Sequence, residues 1–190
     1  MGDGVTDDTA ALQRAIDGHD KIFLPRGDYQ LTGTLQLRPG TKIFGVPGAR
    51  TRIYATTWDP AGQYQPFIRT ADDAQAVTFL GDLDLKLPNP LSATYLTALD
   101  WRAGHDSLVN QIGVEYEWTT DTDTVDRKTV SIAGNGGGRW YGAGLHTGAD
   151  SRDRCRWLVI DGTVEPLTFY GPNIEKGGVT QVEINAARNV

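Results

Sequence analysis

Gly2-Asp-Gly-Val-Thr-Asp-Asp-Thr-Ala-Ala-Leu-Gln-Arg-Ala-Ile-Asp17 joins a glycine-punctuated turn to a helix start and an apolar helical stripe without a break. Gly2 and Gly4 give the backbone positive-φ freedom around Asp3. Thr6, Asp7 and Asp8 offer side-chain oxygens to the unpaired N–H groups of a helix. On that helix, predicted over 6–18, Ala11, Leu12, Ala15 and Ile16 share one face, and Gly18 ends it. Residues 21–31 then read as a short apolar strand, a Pro25/Gly27 turn and a second strand. An amphipathic helix that runs straight into β-structure is expected to cover an open end of it.

Working outward, β-rich segments recur at 21–24, 29–37, 42–44, 52–55, 76–87, 107–118, 129–133, 156–160, 163–170 and 179–184. Their loose period is that of stacked coils, each burying only part of a common core. In 79–87 the apolar residues alternate, turning Leu83, Leu85 and Leu87 inward and Asp82, Asp84 and Lys86 outward. Ile112, Val114, Tyr116 and Trp118 oppose Gly113, Glu115 and Glu117 in the same way. At ~4.8 Å per strand, about seven or eight coils form a rod roughly 35 Å long. The helix covers one set of strand edges; nothing in the sequence covers the other.

The pattern Gly-Asp-Gly-x-Thr-Asp-Asp-Thr, then Ala-x-Gln-x-Ala-Ile, then Leu24-Pro-x-Gly-x-Tyr29 resembles the N-terminal pattern of the pectate-lyase-like superfamily, over residues 2–53. Residues 166–175 and 181–190 resemble a rung of its glucanase-like and polygalacturonase-related bacterial members. The resemblance implies an all-β fold, a single right-handed parallel β-helix with a short N-terminal capping α-helix. It also implies a polysaccharide ligand, because the superfamily holds polygalacturonases, rhamnogalacturonases, exo-β-1,3-glucanases and tailspike depolymerases. One domain over 1–190 is expected, as a fragment of a longer protein, since members usually carry a strand before Gly-Asp-Gly and a further strand would follow Val190.

Composition narrows the partners. The 190 residues are 39% hydrophobic with a net charge of −6 and a pI near 5.0. An acidic chain without a Lys/Arg cluster is unsuited to nucleic acid or to an anionic membrane surface. No apolar run approaches the ~20 residues of a membrane span, and the chain carries no leader pattern. An extracellular protein, monomeric or homotrimeric, is the expectation, with its export signal not present in this chain. Cys155 is the only cysteine, so no internal disulfide forms.

Glycoside hydrolysis needs two carboxyl groups flanking the bond, ~5–5.5 Å apart for retention or ~6.5–9.5 Å for inversion. The outward pairs Asp82/Asp84 and Glu115/Glu117 have suitable spacing, as do Asp161, Glu165 and Glu175 by facing; solvated acidic strand faces are the ordinary explanation of the first two pairs. Phe169-Tyr-Gly-Pro-Asn-Ile-Glu175 gathers an aromatic ring, an amide and a carboxylate at a coil corner, which makes Glu175 the first choice for catalysis, with Tyr170 and Asn173 binding substrate. Trp140 and Tyr141 follow the glycine run 134–138 in an expected loop and are read as a sugar platform. Trp101 and Trp157 are read as core.

The acidic start motif is read as helix capping. Asp121, Asp123 and Asp126 lack the glycine and terminal glutamate of a calcium loop, and His19, His105 and His146 have no partners at zinc spacing. No cofactor or metal is expected. The polygalacturonase set (Asn-Thr-Asp, paired aspartates, Gly-His-Gly, Arg-Ile-Lys) is missing, Gly104-His-Asp106 only brushing its histidine element, and the arginine- and calcium-centred lyase site has no counterpart. Two readings follow: a polysaccharide-cleaving enzyme using carboxylate acid/base chemistry, or a non-catalytic carbohydrate-binding or structural module of a larger enzyme or tailspike.

Overall fold

The computed structural model describes residues 1–55, 58, 62–88, 95–116, 127–146, 155–175 and 180–190. Three all-parallel sheets run along one axis. Sheet A, of seven strands, holds β1 (Asp3–Asp7), β3 (Gly27–Gln30), β6 (Thr51–Tyr54), β9 (Asp84–Leu87), β12 (Gly113–Tyr116), β15 (Gly144–His146) and β18 (Asn173–Glu175). Sheet B holds β2 (Lys21–Phe23), β5 (Lys42–Phe44), β8 (Phe79–Gly81), β11 (Leu108–Asn110), β14 (Gly138–Tyr141) and β17 (Leu167–Tyr170). Sheet C holds β4 (Leu35–Gln36), β7 (Gln65–Arg69), β10 (Leu96–Trp101), β13 (Arg127–Ala133), β16 (Cys155–Asp161) and β19 (Thr180–Asn185). The chain visits C, B and A in turn and pairs each strand with its equivalent one coil later, which is a right-handed parallel β-helix.

Like residues stack on like because the register is maintained. Ile22, Ile43, Leu80, Val109, Trp140 and Phe169 form one inward column, and Tyr29, Ile53, Leu85, Val114, Leu145 and Ile174 another. Leu83, Leu85 and Leu87 are buried as their alternation predicts, and so are Trp101 and Trp157.

Segments 29–37, 76–87 and 107–118, each expected as one strand, contain corners. The bend from B to A falls on Asp82 (φ 55°), Gln111 (φ 50°), Gly142 (φ 59°) and Gly171 (φ 58°), all left-handed. Glycine adopts this conformation freely, whereas Asp82 and Gln111 pay ~1–2 kcal/mol for it. Ladder hydrogen bonds through the corner offset that cost: Asp82 N–H donates to Asn110 O, and Gln111 N–H to Tyr141 O. A left-handed residue reverses the outward sense of the chain while an apolar alternation runs on through it, so the periodicity concealed the bend.

Helix α1 (Thr9–Gly18) starts later than predicted, and the segment before it is strand β1, not a turn. Asp3 accepts from the Val5 and Thr6 N–H groups, and Asp7 from Thr9 N–H. Asp8, buried at the cap position, instead accepts from Gly2 N–H. Leu12 and Ile16 are buried on the core. Gln13 completes the β4 edge like a short strand: its Nε2 donates to Gln36 O (3.1 Å) and its Oε1 accepts from Gln36 N–H (2.9 Å). At the opposite end Val182, Ile184 and Val190 stand exposed around an apolar hollow of about 140 Å³.

Candidate functional site

The outer face of sheet C carries a polar pocket of about 190 Å³, lined by residues of β7, β10 and β13 with Tyr64 at its edge. Its centre is Asp100, almost fully buried although it faces outward. Arg69 Nε donates to Asp100 Oδ2 at 2.8 Å, and Arg102 Nε to Oδ1 at 3.0 Å and Oδ2 at 3.1 Å. Arg102 also donates through Nη1 to Asp72 (3.1 Å), whose other oxygen accepts from the Asn135 backbone N–H (3.0 Å) and side-chain amide (2.9 Å). Burial alone would lower the Arg102 pKa; Asp100 and Asp72 outweigh it and hold the guanidinium firmly charged. The Asn135 N–H, opposed by partial burial and helped by Arg102, draws the Asp72 carboxyl below its ordinary range.

Lys128 extends its ammonium to 5.9 Å from the Tyr64 ring centre, and Tyr64 meets Tyr95 edge to face at 5.6 Å. Arg69 and Arg102 thus clasp the Asp100 carboxylate in a pocket that Lys128, Pro66, Thr97 and Ser131 also line. Such a site accepts an anionic, planar group, because guanidinium forks match carboxylate geometry.

The residues singled out by sequence lie elsewhere. Asn173 lines a groove of about 690 Å³ along the B–A corner, and its Nδ2 donates to Glu175 Oε1 at 2.8 Å on the exposed face of β18. Tyr141 and Tyr170 stack on adjacent rungs, ring centres 4.6 Å apart and nearly parallel at 6°, one residue before the corner glycines. Trp140 is a correction. It lies on β14, not in a loop, and points inward, 1% exposed, edge to face with Trp101 at 5.3 Å, so it has no face to offer a ligand. Glycines 136–138 are followed at once by a strand because a Cβ at any of them would strike neighbouring backbone, and the tight path brings residue 140 into the core column.

Asp82 and Asp84 both line the groove. Glu115 receives a hydrogen bond from Lys86 Nζ at 2.8 Å. Glu165 pairs with His105 Nδ1 at 2.9 Å, and Asp161 is exposed. Glu117, Trp118 and the 121–126 aspartates lie outside the described residues. Among the described residues no group of three His, Cys, Asp or Glu side chains is placed to hold a metal ion, and no helix is long and apolar enough to cross a membrane.

Sequence reasoning missed Arg69, Asp100 and Arg102. The usable signal was Asp100-Trp-Arg102: two opposite charges on one side of a strand with a large apolar residue on the other.

Residues 1–70 match the family model described as rhamnogalacturonase A/epimerase, pectate lyase-like. The chain is a right-handed parallel β-helix whose first 70 residues resemble that family. No curated protein sequence matches it. Among solved structures, the mannuronan C-5 epimerase AlgE4 A-module of Azotobacter vinelandii is 13% identical, the alignment covering 97% of this chain and 95% of that one, TM-score 0.34. PfbA, a surface adhesin of Streptococcus pneumoniae, is 13% identical over 98% of this chain and 60% of that one, TM-score 0.37. A putative glycosyl hydrolase from Parabacteroides merdae is 13% identical over 98% and 90%, TM-score 0.22.

Proposed function

We propose that this pectate-lyase-like chain acts on an acidic polysaccharide, seating a uronate residue in the pocket of sheet C. The observation that carries the reading is the charge arrangement there: two arginines and a lysine share the pocket with one carboxylate on a protein of net charge −6. The matched family is named for a rhamnogalacturonase and an epimerase, which agrees with a sugar-polymer substrate. A uronate held by Arg69, Arg102 or Lys128 has its C5 proton next to a neutralised carboxylate, so charge developing on removal of that proton is stabilised in place. Tyr64 lines the pocket as a proton-transfer group. In elimination Tyr64 Oη takes the C5 proton as its own phenolic proton passes to the departing O4 and the C4–O4 bond breaks; in epimerisation solvent returns a proton to the opposite face of C5.

A second reading is hydrolytic cleavage by Glu175. It is favoured by the register of sheet A, which puts Glu115, His146 and Glu175 on successive rungs. The two glutamates are therefore two strand spacings apart, about 9.6 Å, just beyond the ~6.5–9.5 Å of an inverting pair. Tyr170 and Asn173 are substrate-binding residues in that reading. A non-catalytic carbohydrate-binding module is the third outcome, and an extracellular setting suits all three.

Polyuronates and neutral β-glucans incubated with the wild type, Lys128→Ala, Tyr64→Phe and Glu175→Gln separate these readings. Elimination releases reducing ends together with ultraviolet-absorbing unsaturated uronate and is lost in Tyr64→Phe. Hydrolysis releases reducing ends without that absorbance and is lost in Glu175→Gln. Binding without new ends or altered C5 configuration leaves the module, and polyuronate binding undiminished in Lys128→Ala overturns the pocket assignment.

A further inference from the structure

The groove at the B–A corner holds a feature that the acidic-sugar reading leaves unused. Asp84 begins β9 with its side chain outward, yet it is 5% exposed, and its Oδ2 accepts no hydrogen bond within the protein. The Lys86 ammonium lies 3.6 Å from that oxygen, beyond hydrogen-bond range, because it is drawn to Glu115 Oε1 at 2.8 Å. Burial accordingly pushes the Asp84 carboxyl above its ordinary range, with Lys86 opposing the shift. Oδ2 is enclosed beside Lys86, and Oδ1, next to the Gly113 floor of the groove, is the oxygen that a donor arriving from outside meets.

The floor of the groove explains which donor fits. Register sets Asp84 beside Gly113, Gly113 beside Gly144, and Gly144 beside Asn173, so the outward column runs carboxylate, two glycines, amide. Three strand spacings make it about 14 Å long. At Gly113 even a Cβ would come within 2.7 Å of Asp84 Oδ1, so a glycine is required for the carboxylate to lie where it does. A floor without side chains lets a flat ring settle onto the backbone, with an acceptor at one end and an amide, both donor and acceptor, at the other. Asp82 adds a second carboxylate to the lining, and Gln111 a second amide. Tyr141 and Tyr170 stack just before the corner glycines Gly142 and Gly171, which belong to the same groove. Asp82 and Asp84 disfavour an acidic polymer, because the neighbouring cations Arg52 and Lys86 are bonded to Asp28 and Glu115, whereas a hydroxyl-rich uncharged chain brings donors without a like charge.

We propose that this groove is a second glycan site, which binds an uncharged oligosaccharide along the helix axis through a hydroxyl hydrogen bond to Asp84 and contacts at Asn173. It goes beyond the acidic-sugar reading and stands or falls separately from it, because it uses a different face and a different ligand charge.

The test is titration of the full chain with β-1,3- and β-1,4-linked glucose trimers at millimolar concentration, followed by amide chemical shifts in NMR. The expected result is shifts at Gly113, Gly144 and Asn173 and none at Asp100 or Ser131. Asp84→Ala should weaken binding about tenfold, as loss of a hydrogen bond to a charged acceptor would. Gly113→Ala, which displaces the carboxylate, should weaken it as well. Lys128→Ala should leave it unchanged, and an amide spectrum of Asp84→Ala unaltered away from the groove shows that the variant is folded. Shifts confined to sheet C, undiminished binding in Asp84→Ala, or no response to either trimer would each overturn the proposal.

Discussion

Asp100 and Asp84 face outward from neighbouring sheets and are buried to nearly the same degree, 6% and 5% exposed, yet the structure treats them in opposite ways. Two guanidiniums bond Asp100 through both oxygens, and one of them is held in turn by Asp72. Asp84 has a single ammonium at 3.6 Å, shared with a better placed glutamate. Burial alone therefore does not decide what a carboxylate on a β-helix wall does. The residues one rung away and two positions along decide it: Arg69 and Arg102 clasp Asp100 on sheet C, whereas Asp84 has Gly113 on one side and Arg52, bonded to Asp28, on the other.

The largest difference should appear in stability. Asp100→Ala leaves Arg69 and Arg102 facing each other beside Lys128. The cost is about 2 kcal/mol, below the ~3–5 kcal/mol of a fully buried pair because both arginine side chains are more than a third exposed. Asp84→Ala should cost under ~1 kcal/mol, since Oδ2 accepts no hydrogen bond and its ion pair with Lys86 is long at 3.6 Å. Urea midpoints at unchanged m-value measure both, and equal costs would break the comparison.

The pH dependence should differ in sign. Asp84 binds its proton more tightly folded than unfolded, so its contribution to stability is greatest below the ordinary aspartate range and is lost as pH rises through its raised folded value. Asp72 is the reverse: its stabilisation is present above the unfolded value and disappears as pH falls through the lowered folded one. Asp84→Asn should thus gain on the wild type as pH rises from about 3 to 7, and Asp72→Asn should fall behind it over the same range. Thermal melts of the three proteins across that range check both slopes; parallel curves would refute the environments described.

A smaller effect separates the two faces by ligand charge. Lys128→Ala should weaken polyuronate binding several-fold at low salt and less at high salt, because the ammonium is a surface charge. Neutral trimers should be indifferent to the substitution and to salt. Calorimetry at two ionic strengths reads both.

These contrasts also show what was open to reading in the primary structure. The β-helix was legible because apolar residues recur once per coil wall and the Gly2–Asp17 pattern marks a helix over a strand edge. Leu83, Leu85 and Leu87 turned inward as their alternation required. The corners were not legible, since Asp82 and Gln111 are ordinary residues that adopt left-handed backbone only because the ladder above and below holds them there. The sheet C site was hidden for a related reason. Arg69, Asp100 and Asn135 are far apart in the chain, and only the coil period brings them together. Trp140 was misplaced because a glycine run usually ends in a loop, whereas here it is the close approach of neighbouring coils that demands glycine.

The weakest expected effect concerns the tyrosines read from sequence as binding residues. Tyr141 and Tyr170 stack because successive strands lie ~4.8 Å apart, which is close to ring contact distance, so the ladder itself imposes most of the geometry. Such a pair is worth ~0.5–1.5 kcal/mol, and the low end applies here because Tyr170 is half exposed. Tyr170→Ala should therefore lower stability by only about 0.5 kcal/mol, and the double variant with Tyr141→Ala should lose little more than the two single changes less their shared contact. If the stack also borders a sugar, Tyr170→Ala weakens neutral-trimer binding while leaving polyuronate binding at sheet C as it was. A loss at both sites would mean that the ring supports the shared core, and a loss at neither would confine it to packing against its neighbour.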